Sequence, residues 1–356
     1  MSAHRSRAAL LAALWCLAGG EAAAQPQLIV ERVDVARVII DVRVIDDDGR
    51  PIRGLEPDDF EVRIDDEPVR VESAFWVGGD TEDDAGDGAA ASGPVASREI
   101  AGFLEPADRG QLIVFVVQKS LVHSRALGLL RLLMHSDRLL ARVAPADRVA
   151  VVSFDSHLKI WLDFTDDLDR VETVLAEEIM FGRPPVLEPR DGPSLLATLS
   201  QEEGRRTWEI QEALRQLGDA LEPLPGAKSV VLIGYGFGDL RVVLGMVGST
   251  LDDRYHEARA ALEAARASVF ALDVTQADYH TYEHGLQMVA EDTGGFFVRT
   301  YLRPPRRVID RVVNAIAGRY VLFTERPDVE PGEHPIEVDV AGVDGTVLAR
   351  STYMAR

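Results

Sequence analysis

Five consecutive residues near the end of the chain, His280-Thr281-Tyr282-Glu283-His284, contain the residue types of a zinc site. Two histidines one helical turn apart can bind a zinc ion through their imidazole nitrogens. A glutamate beside them can take a proton from the zinc-bound water, which then attacks a carbonyl carbon. One hypothesis is therefore a zinc-dependent hydrolase in which His280 and His284 are ligands and Glu283 is the base.

The spacing also matches the His-x-x-Glu-His motif of inverted zinc peptidases, but its context differs from theirs. Those motifs lie within a buried helix, whereas this one falls in the loop or first turn after a predicted strand. The third ligand is undefined, because Glu291 is only one of many acidic residues. We therefore favour the alternative, that these are surface histidines at the start of a helix. The sequence also contains no Gly-x-Ser-x-Gly motif, phosphate loop or cysteine nucleophile.

The elements around this motif alternate between strands and helices. The run Leu112 to Val117 is continuously apolar, which is typical of a strand buried on both faces of a parallel sheet. Further strands are predicted at Val149 to Phe154, His157 to Leu162, Ser229 to Ile233, Ser268 to Val274 and Phe296 to Arg299, with His157 to Leu162 as an antiparallel edge strand. Helices are predicted at Val122 to Arg142, Asp166 to Ala176, Thr207 to Leu221, Leu251 to Ala265, Tyr282 to Asp292 and Val308 to Ala317. This order predicts an α/β fold with a doubly wound, mostly parallel sheet.

The same order of elements resembles a von Willebrand factor A domain. The flanking segments are similar to a bacterial family related to that domain, whose members are mostly uncharacterised exported proteins. The segments that carry the likeness are Val44 to Leu55, Asp58 to Val62, Phe164 to Asp167, Ala290 to Gly295 and Gly332 to Val338. The resemblance covers nearly all of the chain after its first residues and implies a ligand-binding role.

In von Willebrand factor A domains, ligands usually bind through a divalent metal held by an Asp-x-Ser-x-Ser loop, a threonine and an aspartate from a later loop. Here Gln118 stands at the leading aspartate position, Val122 stands at the last serine position, and Ser120 matches. Tyr235 occupies the later acidic position, and Asp239 could replace it only if the loop bends back. Loss of both carboxylates removes most of the attraction for a dication. The resemblance thus implies a degenerate metal site, and we expect no cofactor, magnesium and manganese included.

What remains is a polar, glycine-rich rim at the carboxyl ends of the strands, where open α/β sheets bind ligands. The candidate residues for a metal-free contact surface are Gln118, Lys119, Ser120, Tyr235 and Phe237. For any one of them, the simpler alternative is an ordinary loop residue. We expect a binding module for protein or surface recognition, with a zinc hydrolase and a purely structural envelope component as the competing classes.

The segments on either side of this domain are predicted to form β-structure. Residues 27–77 alternate apolar and polar side chains and predict a small antiparallel module, and residues 78–107 read as a low-complexity linker. The von Willebrand A-like domain is expected at 108–318. The strands at 319–356 could pair with the amino-terminal module, which we state as a hypothesis.

The first 24 residues predict export. Arg5 and Arg7 precede an apolar run at 8–17, and small residues at 22–24 suit cleavage before Gln25, so we expect a secreted or periplasmic protein. The apolar run is too short to span a bilayer, and no later segment is long enough. The only cysteine, Cys16, lies in this leader.

The charge of the chain excludes some classes of partner. Its formal net charge is -21, from 59 acidic and 38 Lys and Arg side chains. Such a field repels nucleic acid and anionic lipid surfaces. We therefore expect a protein partner in the cell envelope or outside the cell.

Overall fold

The computed structural model describes residues 37–78, 110–189, 192–243, 246–277, 280–301 and 305–355. The predicted leader at residues 1–24, and the predicted linker at 78–107 apart from Gly78, lie outside these residues. Both stay predictions.

The strands of the chain are β1 (Arg37–Ile45), β2 (Phe60–Ile64), β3 (Glu67–Val69), β4 (Val71–Gly78), β5 (Leu112–Gln118), β6 (Arg148–Phe154), β7 (Leu158–Thr165), β8 (Lys228–Gly234), β9 (Asp239–Val243), β10 (Met246–Thr250), β11 (Ala267–Asp273), β12 (Phe297–Arg299), β13 (Gly318–Glu325), β14 (Gly332–Val340), β15 (Thr346–Ala349) and β16 (Thr352–Ala355). The α-helices are α1 (His123–Leu133), α2 (Ser136–Leu139), α3 (Leu168–Thr173), α4 (Leu195–Thr198), α5 (Gln201–Gly204), α6 (Ile210–Leu221), α7 (Asp253–Ala264), α8 (Glu283–Asp292) and α9 (Pro305–Ile316).

A six-stranded sheet of order β12-β11-β8-β5-β6-β7 forms the centre of the molecule. All of its neighbouring strands pair in parallel except β7, which pairs antiparallel with β6 at the edge. Side chains of alternate residues in β5 point to opposite faces, and both faces are buried. Helices α1, α3 and α9 cover one face, and α6, α7 and α8 cover the other. The predicted α/β fold with an antiparallel edge strand is confirmed.

Two local predictions differ from the structure. The single helix expected at 122–142 is broken, because His135 has a non-helical backbone and α2 begins after it. The break turns α2 towards α9, where Arg138 donates two hydrogen bonds to the carboxylate of Asp310 at 2.8 and 2.9 Å. The second difference is the hairpin of β9 and β10, which the sequence analysis did not predict.

The two ends of the described chain form one β-sandwich. Strand β1 pairs with β13 and β15, and β2 pairs with β14, in two four-stranded sheets. The two sheets share one apolar core, in which the ring of Tyr320 lies 5.2 Å from that of Phe60 and 5.1 Å from that of Trp76. The hypothesis that the terminal segments pair is therefore confirmed.

The sandwich contacts the central sheet at the amino ends of its strands. Arg43 of β1 is 1% exposed and donates to the hydroxyls of Ser229 and Ser268, near the starts of β8 and β11, at 3.0 and 2.9 Å. These contacts lie at the opposite end of the strands from their carboxyl ends.

Candidate functional site

The carboxyl ends of the parallel strands form one edge of the central sheet, which we call the carboxyl edge. Strands β5, β6, β8 and β11 end there at Gln118, Phe154, Gly234 and Asp273. Loops at this edge can place side chains from separate parts of the chain around one site. The predicted rim residues belong to the loops after β5 and β8.

Gln118 joins these two loops. Its side chain is buried, and Oε1 accepts hydrogen bonds from the backbone N–H groups of Tyr235 at 2.9 Å and Gly236 at 3.1 Å. Its Nε2 donates to the carbonyl of Gly236 at 3.0 Å. A carboxylate could accept the first two bonds but could not donate the third. Gln118 therefore holds the loop after β8 and offers no free ligand atom for a metal.

Two glycines let this loop pack closely. A Cβ on Gly234 would lie 2.5 Å from Oε1 of Gln118. Gly236 has φ of +92°, and a Cβ there would lie 2.0 Å from the carbonyl oxygen of Tyr282. That carbonyl accepts a hydrogen bond from the N–H of Phe237 at 3.0 Å, which fixes the loop against the start of α8.

Phe237, which we expected on the contact surface, is 4% exposed. It packs against Tyr255, with ring centroids 6.3 Å apart, and against Gly285, which has no side chain to exclude it. Asp239 begins β9, and its side chain lies outside the described residues.

The loop after β5 anchors Lys119 on one side. Its N–H donates to the carbonyl of Phe154 at 2.7 Å, and its Nζ lies 5.3 Å from the centroid of the Trp161 ring. Burial holds the pKa of the Lys119 ammonium below its usual value, against the opposing effect of Asp155. Lys119 is a half-buried cation close to the carboxyl edge.

The next three residues of this loop form a turn with two exposed apolar side chains. Ser120 Oγ accepts a hydrogen bond from the N–H of Val122 at 3.2 Å and closes a short turn. Leu121 is 98% exposed and Val122 is 53% exposed. The serine that matches the metal-binding pattern thus shapes a turn that presents two apolar side chains to solvent.

A cation that the sequence analysis did not identify lies on this edge. The guanidinium carbon of Arg125, in the first turn of α1, lies 4.0 Å from the centroid of the Tyr235 ring and 5.8 Å from that of Tyr282. Both distances allow a cation–π interaction. Burial raises the pKa of the Tyr235 hydroxyl, so the ring under Arg125 stays neutral.

These residues border an open groove of about 410 Å³. The groove reaches from the loop after β8 to the start of α6. Its lining includes Gln118, Arg125, Trp208, Tyr235, Phe237 and Tyr282. Trp208, which precedes α6, is 78% exposed. An indole exposed to this degree beside a groove is typical of a contact surface, because exposed aromatic side chains are enriched in protein interfaces.

The structure brings His280 and Glu283 together but not with His284. His280 Nε2 lies 2.9 Å from Oδ2 of the buried Asp273, and ligand atoms of Asp273, His280 and Glu283 lie within 4.8 Å of one another. Arg299 donates two hydrogen bonds to the Glu283 carboxylate, at 2.6 and 2.7 Å. His284 is exposed and is not in this group. The residue proposed as base is therefore already paired with a cation.

Searches of protein-family models and of curated proteins find no match to this chain. Among the helices of the described residues, none has the length and apolar character that a membrane span requires.

Solved structures with a similar arrangement share little sequence with this chain. A von Willebrand factor type A protein from Catenulispora acidiphila is 8% identical, with a TM-score of 0.40 over 91% of this chain and 74% of that one. An aerotolerance-related membrane protein from Bacteroides fragilis is 14% identical, with a TM-score of 0.37 over 58% of this chain and 99% of that one. The PilB minor pilin from Streptococcus sanguinis is 12% identical, with a TM-score of 0.36, and the match spans 58% of this chain and 60% of the pilin. The fold described above rests on strand order and pairing, and these similarities assign no function.

Proposed function

We propose that this chain is an exported binding module that recognises a protein partner at the carboxyl edge of its sheet and needs no metal ion. The observation that carries the proposal is the group of exposed apolar side chains at that edge. Leu121, Val122 and Trp208 are exposed although they cost free energy in water. We call these three residues the apolar rim. A partner that covers them regains that free energy.

The donor groups that the described residues offer at the carboxyl edge do not fit a divalent metal. Magnesium and manganese prefer carboxylate and water oxygens. At the positions where the family resemblance implies carboxylates, the chain has the amide of Gln118, bonded to its own backbone, and the ring of Tyr235. The cations of Lys119 and Arg125 lie close by and repel a dication. We therefore propose that the partner is bound by the protein's own side chains and not through a metal ion.

The zinc hydrolase remains the weaker hypothesis because its residues are engaged elsewhere. Glu283 pairs with Arg299, and a zinc ion at Asp273 and His280 would face that guanidinium. A purely structural role gives no reason for an open groove with an exposed tryptophan. Recognition of a protein segment accounts for both features.

The test is selection of peptides from a random library displayed on phage, against the purified protein in chelator. Selected peptides are then measured against a double variant of the apolar rim, Leu121→Ser with Trp208→Ser. The matched control is Met134→Ser with Met354→Ser, which removes exposed apolar side chains at 77% and 45% exposure away from the groove. Surface substitutions of this kind change stability by about 0.5 kcal/mol or less.

We expect peptides that bind the wild type and the control alike and bind the rim variant at least tenfold more weakly. Peptides that bind the rim variant as well as the wild type would place recognition elsewhere on the molecule. Failure to select any peptide would contradict the proposal.

A further inference from the structure

We propose that the groove at the carboxyl edge binds an aspartate or glutamate side chain of its partner through the guanidinium of Arg125. This inference rests on the proposed function and adds the chemistry of the partner. Among the described residues, no carboxylate lies within ion-pair distance of this guanidinium and no acceptor is hydrogen-bonded to it, although the side chain is only partly exposed.

The position of Arg125 is unfavourable without an anion. It lies in the first turn of α1, where the helix dipole disfavours a cation, and no acidic residue is present in that turn. Val122, at the amino end of α1, provides no side-chain cap for the first backbone N–H groups. A carboxylate bound here would interact favourably both with the guanidinium and with this end of the helix.

Tyr235 holds the guanidinium in place for such a contact. The guanidinium carbon lies 4.0 Å from the ring centroid, and the N–H groups that do not face the ring are available to an acceptor. A planar carboxylate matches two of these N–H groups at once. The side chain is oriented before the partner arrives, so little conformational entropy is lost on binding.

Two acidic side chains that the structure describes near the groove are already paired with other cations. Glu209, on the groove, forms an ion pair with Arg254. Asp155, after β6, pairs with Lys159 at 2.7 Å. Among the residues that the structure describes, the guanidinium of Arg125 therefore has no ion-pair partner and lies beside aromatic surface, which fits one carboxylate next to an apolar side chain.

The net charge of -21 repels an acidic partner at long range. Salt screens such repulsion beyond about 8 to 10 Å, while a direct contact with Arg125 is screened much less. The effect of salt on affinity thus combines two opposite terms, and substitutions give the sharper test.

The experiment uses the selected peptides, made with amidated carboxyl termini, in a double-mutant cycle. Each acidic residue of the peptide is changed to its amide, and the protein is studied as wild type, Arg125→Gln and Arg125→Lys. The matched control is Arg142→Gln, which removes the same charge from an exposed residue before β6, at the amino ends of the strands. Affinities are measured by titration calorimetry in chelator.

We expect one acidic peptide residue whose amide form binds at least tenfold more weakly to wild type. The Arg125→Gln variant should bind the acidic peptide more weakly than wild type by a similar factor. It should bind the amide peptide no more weakly than wild type does. Arg125→Lys should keep only part of the affinity, because the ammonium cannot bond two oxygens in one plane. Arg142→Gln should bind like wild type.

The outcomes separate the two proposals. Two outcomes would overturn the carboxylate inference without contradicting the binding module. In one, the peptides need the apolar rim but no acidic residue. In the other, the losses of binding free energy from the peptide's acid-to-amide change and from Arg125→Gln are additive. Tighter binding of a phosphoserine peptide through Arg125, by tenfold or more, would also overturn it in favour of phosphate. Absence of any selected peptide would overturn both.

Discussion

Arginines at opposite ends of the same parallel strands differ in their partners. At the amino ends, Asp41 of the β-sandwich pairs with Arg266 at 2.9 Å and with Arg319 at 3.1 Å, and Arg43 beside it is buried. At the carboxyl edge, Arg125 lies against a tyrosine ring and pairs with no carboxylate of the part of the chain that the structure describes. The buried arginines join two parts of the fold. The unpaired arginine is available to a partner, and the following predictions test this difference.

The largest effect on stability is expected for Asp41→Asn. Burial opposes ionisation of Asp41, but Arg266 and Arg319 hold its pKa well below the usual range. Removal of its charge takes away the carboxylate that pairs with the buried Arg319 guanidinium, which costs about 3–5 kcal/mol in comparable buried pairs. Chemical denaturation measures this loss. The control Asp310→Asn removes the partner of Arg138 from a more exposed pair and should cost about 1 kcal/mol or less. Equal effects of the two changes would contradict the larger contribution expected from the buried ion pair.

The interface between the sandwich and the central sheet also predicts a dependence on pH. Burial raises the pKa of Glu263 to about 7, although Thr352, Arg259 and Arg350 oppose this and Glu333 adds to it. The folded protein therefore holds a proton on Glu263 that the unfolded chain has lost above the usual glutamate pKa of 4.5. Stability from this group is present below pH 4.5 and is lost as the pH rises to about 7.

We expect the free energy of unfolding of the wild type to decrease between pH 5 and pH 8. This decrease should exceed the decrease measured for Glu263→Gln by on the order of 2 kcal/mol. The glutamine keeps an acceptor for the Thr352 hydroxyl, so the variant isolates the charge. Parallel pH profiles for the two proteins would show that Glu263 is ionised in the fold.

A smaller loss of stability is expected for Gln118→Ala at the carboxyl edge. The change leaves the N–H groups of Tyr235 and Gly236 without their acceptor, which costs about 1–3 kcal/mol. It also frees the ring that supports Arg125, so peptide binding should weaken together with stability. Gln287→Ala, on the exposed side of α8, is the control. A Gln118→Ala protein with unchanged stability would contradict the role given to this amide.

The smallest effect is expected from metal ions. A ligand at about 100 times its Kd adds roughly 2.7 kcal/mol to the stability of the folded state. We expect no rise in the melting temperature when chelator-treated protein is titrated with magnesium, manganese or zinc. A rise with zinc that is lost in His280→Ala would support the zinc site instead, and a rise with magnesium or manganese would mean that the carboxyl edge retains a metal site.

The sequence predicted much of the fold because its signals are local. Continuous apolar runs marked the strands of the central sheet, and the residue after each run marked the carboxyl edge, which located Gln118 and Tyr235. The direction of a side chain within a loop is set by packing with distant residues. The sequence therefore could not predict that Phe237 is buried against Gly285.

The two residues that matter most for the proposals were missed for a similar reason. Arg125 lies in a helix and Trp208 before another, and only the tertiary fold brings them to one groove. One sequence signal could have pointed to Arg125. The first turn of the predicted helix carries this cation and no acidic residue, which is the reverse of the charge that the helix dipole favours.

The central claim is that the carboxyl edge recognises a protein segment without metal. The most direct test is the Kd of one selected peptide in chelator and again in saturating magnesium, manganese and zinc, for the wild type and for Leu121→Ser with Trp208→Ser. The account predicts a wild-type Kd that is the same in every condition and at least tenfold weaker binding by the double variant. Binding that appears only with a metal ion, or that survives in the double variant, would contradict it.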